Sequence, residues 1–251
     1  IYTGLLGYVG AKTGLSLDLL SQRAFGEKGS YLPSAMTSFT QIGWFGVGSF
    51  VSGGTATPNF ARFAKDGKAG AITTVVAFFI GNSLMFFFGA VSSIFVGGND
   101  IFEVMVRLNL FYLAVLVLGL NIWTTNDNAL YTAGLGLANI FHQRKKPMVL
   151  LSGIIGTVAS VWLYYNFCGW LNILNCTLPP VGMILVLAYF MNKEDFETDQ
   201  PKLKTIDWFA VAGVILGAIV ANLLHWGIAS INGMVVAAVC YCVGQAVNKR
   251  K

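Results

Sequence analysis

An all-α integral membrane protein is the fold class this sequence predicts, and three observations predict it. Only 11% of the 251 residues are charged, 55% are hydrophobic, and the mean hydropathy is +0.67; soluble domains carry about a quarter charged residues. Residues 29–61, 69–99, 108–126, 147–192 and 208–248 contain no Asp, Glu, Lys or Arg. All 16 basic residues fall outside those runs, and all but Arg107 gather in five stretches. Roughly 20 apolar residues cross a hydrocarbon core, so each run holds a span and the last two hold a pair each.

In chain order, residues 1–11 are apolar but too short to cross, and read as the tail of a span in a truncated chain. The start shows neither Met nor the basic and small-residue features of a signal peptide. A short surface helix is expected over 15–25, followed by a span over 31–50 and a Gly- and Thr-rich segment over 51–63. Further spans are expected over 70–96, 104–140 (too long for one straight crossing), 147–165, 169–191, 208–224 and 228–247. Pro179 and Pro180 predict a kink or break in their span. Twenty-nine glycines suit close helix packing in lipid.

The charge of +5 is distributed as a membrane pattern and not as a nucleic-acid footprint. Lys12, Arg23 and Lys28; Arg62, Lys65 and Lys68; Arg144, Lys145 and Lys146; Lys193, Lys202 and Lys204; and Lys249, Arg250 and Lys251 form five basic stretches. The positive-inside rule places all five, with the C-terminus, in the cytoplasm. The crossing count then fails at one point. The stretches before and after 29–61 both belong inside, yet 29–61 makes one comfortable span. Either the chain turns back near Gly53 and Gly54, or a segment is missing around Phe50, the reading favoured here.

The four cysteines lack zinc-type spacing with histidines and read as small apolar packing residues. No nucleophile–base pair, phosphate-binding loop or metal motif points to an enzyme.

Three segments carry chemistry. Residues 121–128 read Asn-Ile-Trp-Thr-Thr-Asn-Asp-Asn, and seven of the eight side chains hydrogen-bond. Polar groups at membrane depth are costly, which marks Asn121, Thr124, Thr125 and Asn126 for function. Their hydroxyl and carbonyl oxygens suit an alkali cation, and their amides suit a nucleobase edge. The competing account is hydrogen bonding between helices. Asp127, the one acidic residue within a long hydrophobic segment, is read as an ion ligand or an ion-pair partner. Gln41 and Trp44, three apart, share a helix face and offer an amide and an aromatic plate to a flat polar ring; Trp44 alone reads equally as an interfacial anchor. Residues 49–55, with Gly53 and Gly54 among small hydroxyls, read as an unwound stretch of the kind that builds transporter sites, or as a packing point.

Residues 7–15, 40–48 and 118–131, with 78–86, 153–157 and 179–182, resemble the nucleobase–cation symporter family over nearly the whole chain. The resemblance implies twelve spans with two inverted five-helix repeats (5+5), broken first and sixth spans, and sodium-coupled import of cytosine by alternating access across a bacterial inner membrane. It implies that residues 1–50 hold parts of spans two and three, and residues 51–251 hold spans six to twelve. It implies that Gln41 pairs with cytosine, Trp44 stacks on it, Phe50 opposes Trp44 with Ser52 nearby, and Asn121 also contacts substrate. Sodium falls to Thr124 and Thr125, with Asn121 and Asn126 alongside. No cofactor beyond the coupling ion and no nucleic-acid partner is expected; the lipid is the surroundings, and the sequence leaves the oligomeric state open. Rival readings are a carrier of another nucleobase or a hydantoin-like ring, with proton coupling as an alternative to sodium, and a membrane fragment that does not transport.

Overall fold

The computed structural model describes residues 2–47, 57–97, 101–198, 203–224 and 227–248, with side chains at all of these except 40–47, 82 and 248. Every regular element among them is helical. The order is α1 Tyr2–Thr13, α2 Leu17–Phe25, α3 Tyr31–Val47, α4 Pro58–Ala61, α5 Gly67–Val96, α6 Ile101–Arg107, α7 Phe111–Phe141, α8 Lys145–Tyr165, α9 Phe167–Met191, α10 Lys193–Glu197, α11 Trp208–Leu223 and α12 Ala229–Asn248. The stretch 48–56, with its proposed turn or missing segment, lies outside the described residues.

Polar side chains start several helices where they fall. Ser16 caps α2 by accepting from the Leu19 amide, Asp66 caps α5 through Ala69 at 2.7 Å, and Asp207 caps α11 through Ala210 at 3.2 Å. Two expectations are refined. The long segment 104–140 divides into α6 and α7 at residues 108–110, where Asn109 takes the left-handed region at φ 60°, a conformation that asparagine tolerates better than most. Helix α5 is continuous but passes through a π-helical turn at Ala77–Gly81.

Two expectations are corrected. Helix α2 does not lie on the surface: Leu17, Leu20 and Phe25 are fully buried against Val181, Ile184, Leu185 and Tyr189 of α9. Its apolar face found protein in place of the membrane interface. Of the kink or break expected at Pro179 and Pro180, the break is absent: helix α9 runs on through both. Pro179 cannot donate to the Asn175 carbonyl four residues back. The Ser230 hydroxyl of α12 donates to that carbonyl instead, at 3.1 Å. Neighbouring helices thus supply what proline withholds. Pro180 is seated where Gly217 of α11 and Gly233 of α12 meet; a Cβ at Gly233 would come within 3.0 Å of the Gly217 carbonyl.

Helices α3, α7 and α8 pack on one another, α1 packs on α5 and α4, and α9 packs with α11 and α12. Among the described residues four helices are long and apolar enough to cross a membrane: Gly67–Val96, Lys145–Tyr165, Phe167–Met191 and Ala229–Val247. Only 6% of the most apolar part of α5 is buried, against 61% of that of α9, so α9 is central and α5 peripheral. Helix α7, with 31 residues, has the length but not the uninterrupted apolarity. Large apolar side chains on α5, α7 and α8, such as Phe79, Phe95, Leu116 and Val158, are exposed, as faces turned to a bilayer or to further helices would be.

Candidate functional site

The polar run 121–128 sits inside α7, nearly three turns from its start, and helix geometry sorts its members. Asn126, Ala129, Ala133 and Gly136 follow a three–four–three spacing and so lie on one stripe. Ala129 and Ala133 are buried, and the Ala133 carbonyl accepts from Ser38 Oγ of α3 at 3.2 Å. That stripe therefore faces α3. Thr125 and Asn126 are half-buried at its edge, while Asn121, Thr124, Asp127 and Asn128 are exposed.

Thr124 Oγ1 donates to the carbonyls of Leu120 at 3.1 Å and Asn121 at 3.0 Å. Its proton is used within the helix and its lone pairs face outward. The Asn126 Oδ1 oxygen is buried and accepts no hydrogen bond from the described residues; Thr132 Oγ1, in the second turn beyond, is in the same condition. Buried oxygens left without donors are uncommon. A cation or an amino group fits this need, because both supply positive charge to acceptors. Thr132 was missed by sequence reasoning, although its spacing of seven from Thr125 puts the two on one face. Among the described residues no three His, Cys, Asp or Glu side chains gather as a metal site.

Helix α3 runs antiparallel to this face. Ser34 Oγ accepts from Asn139 at 2.8 Å, Ser38 reaches Ala133, and a Cβ on Gly136 would come within 2.8 Å of the Ser34 carbonyl. Carrying that register onward sets the 41–44 turn of α3 level with residues 129–132 of α7, one to two turns from Thr125 and Asn126. The backbones that carry Gln41 and Trp44 are thus brought to the polar run; their side chains lie outside the described residues. Phe50 and Ser52 lie wholly outside them.

On the other flank of α7, Tyr131 shares a face with Thr124 and Asn128. Its hydroxyl accepts from Arg62 Nη2, Lys145 Nζ sits 3.5 Å from its ring centroid, and Phe60 packs 6.2 Å away. This contact ties the α1–α4–α5 set to α7. The exposed polar face of α7 therefore looks toward the side that α4 occupies.

Known proteins compare as follows. A family model described as permease for cytosine/purines, uracil, thiamine, allantoin matches residues 1–56 and 47–247. The cytosine permease of Escherichia coli (strain K12) is 35% identical over 344 residues, covering 100% of this chain and 81% of that protein. The cytosine permeases of Escherichia coli O6:H1 and O157:H7 match at the same identity and coverage. These relatives are named permeases, transporters and not enzymes. The aligned 344 positions exceed the 251 residues here by 93, and the two matched stretches overlap at 47–56, where the crossing count failed.

Proposed function

Since this chain belongs to the family of permeases for cytosine/purines, uracil, thiamine and allantoin, and is a membrane transporter for cytosine or related ring compounds, we propose that it imports cytosine in symport with sodium by alternating access. The observation that carries the finer reading is the buried Asn126 Oδ1, without a donor among the described residues, on the stripe of α7 turned to α3.

In this reading sodium supplies a hard positive charge, and Thr124, Thr125, Asn121 and Asn126 hold it with oxygens. Gln41 pairs with the ring edge, Trp44 and Phe50 sandwich its faces, Ser52 lies beside it, and Asn121 completes the contacts. Bound sodium favours the state that accepts cytosine, so the downhill ion drags the ring inward; a ligand shifts such an equilibrium by its differential affinity for the two states. The packing of α1 with α4 and α5, and of α3 with α7 and α8, supports two groups of helices, joined at the Arg62–Tyr131 contact, that can exchange access. The basic stretches face the cytoplasm of a bacterial inner membrane. Residues 1–50 correspond to parts of spans two and three of the family, and 51–251 to spans six to twelve.

Uptake of labelled cytosine by the full-length protein tests this. Uptake should require sodium and fall at least tenfold, about 1.4 kcal/mol, with Trp44→Ala or Thr125→Ala. Neither change mattering would refute the site. A second reading, transport of another ring, is favoured by the breadth of the family description. Competition with uracil, allantoin and hydantoins, at varied pH without sodium, separates it.

A further inference from the structure

Asp18 is a carboxylate with 5% exposure on a helix otherwise devoted to packing. Among the described residues no Lys, Arg or His forms an ion pair with it; Arg62 acts on it from longer range. Its polar partner is Ser34 of α3, whose Oγ donates to Asp18 Oδ1 at 2.6 Å. Ser34 Oγ accepts from Asn139 Nδ2 of α7 at 2.8 Å, and Asn139 Oδ1 accepts from Gln22 Nε2 at 2.6 Å. Asp18 and Gln22 are one turn apart on α2, so the chain of bonds closes into a ring across three helices. Asn139 also donates to Ser30 Oγ at 3.2 Å, and Ser30 Oγ donates to the Glu27 carbonyl at 2.7 Å.

Packing alone explains this arrangement poorly. A buried carboxylate costs stability unless it is well paired, and an apolar residue would fill the place at less expense. What the carboxyl adds is a directional oxygen acceptor for Ser34. The ring sits where α3 and α7 begin to run together, below the turns that carry Gln41, Trp44, Thr125 and Asn126. One residue of helix rise is about 1.5 Å, and misplacement on that scale is enough to spoil a ligand geometry.

We propose that Asp18 is a positioning residue for transport: through Ser34 and Asn139 it fixes the axial register of α3 against α7, and so aligns the two halves of the substrate site. The proposal rests on the functional reading above. It concerns residues that touch no ligand.

The test measures KM and maximal rate for labelled cytosine uptake by the full-length protein, with the amount of folded protein in the membrane quantified. The variants are Asp18→Asn, Asp18→Ala, Ser34→Ala and the Asp18→Ala/Ser34→Ala pair. Asp18→Ala and Ser34→Ala should each raise KM at least fivefold. The pair should do no worse than the stronger single change, because both break one bond. Asp18→Asn keeps an oxygen acceptor for Ser34 and should stay within twofold of the parent. A KM that does not move in Asp18→Ala and Ser34→Ala, with only folded protein or maximal rate reduced, would overturn the proposal, as would multiplying effects in the pair. If Asp18→Ala does not fold, Ser34→Ala and Asn139→Ala decide by the same criterion. A parent that takes up no cytosine sinks the functional reading; a parent that transports while KM stays fixed in the variants sinks this one.

Discussion

Burial lifts the Asp18 carboxyl from 3.8 to about 6, against the opposing pull of the Ser34 hydroxyl, its own backbone amide and the Arg62 charge. The folded protein therefore keeps a proton that the unfolded chain has already released. Stability from this group is fully present below about 3.8 and is lost as pH rises through about 6. The loss is on the order of 3 kcal/mol. Thermal unfolding of the purified full-length protein between pH 4 and 7 should show the parent falling behind Asp18→Asn as pH rises; parallel curves would contradict this. At this scale the sequence was unevenly legible. Amides and hydroxyls inside an apolar run are visible without coordinates, which is why Asn121 to Asn126 stood out. Asp18 did not, because its helix carries Arg23 and sits among basic residues; burial came from packing against α9, which no local pattern records. Thr132 was hidden by the apolar neighbours that make its environment unusual.

Between elements, contact is set by residues too small to keep helices apart. Gly136 is where α3 meets α7, and a Cβ there would press on the Ser34 carbonyl and on Ser38. Gly136→Val should destabilise the fold by about 1–3 kcal/mol and reduce cytosine uptake at least tenfold. Gly89, with open space around it, should accept alanine with a change within about 0.5 kcal/mol. Thermal stability and uptake measured on the same preparations check both, and equal effects at the two sites would overturn the packing account. Helices as elements were readable from uncharged length. The division of 104–140 at Asn109 was readable as excess length, though not its position. The burial of α2 was not readable, since an amphipathic helix presents the same pattern to lipid and to protein.

For the molecule as a whole, alternating basic stretches give an orientation with a direct check. Cys168 is exposed just after the Asn166 connection, which carries no basic residue. A charged, membrane-impermeant maleimide should label Cys168 on intact cells, while a Gln143→Cys variant should be labelled there only after permeabilisation. The reverse pattern would invert the assigned topology. Whole-chain architecture was partly legible: the number of apolar runs and the failed crossing near 47–56 appear in the sequence, and the grouping of α3, α7 and α8 apart from α1 and α5 does not. The bond from Ser230 to the Asn175 carbonyl reaches further than one helix. Paired prolines leave rungs of a rod open, and here a single hydroxyl from the next strut splints one of them. Clip that splint with Ser230→Ala, and α9 should regain the freedom to flex, bringing an otherwise stiff pillar into the motion of whatever leans on it.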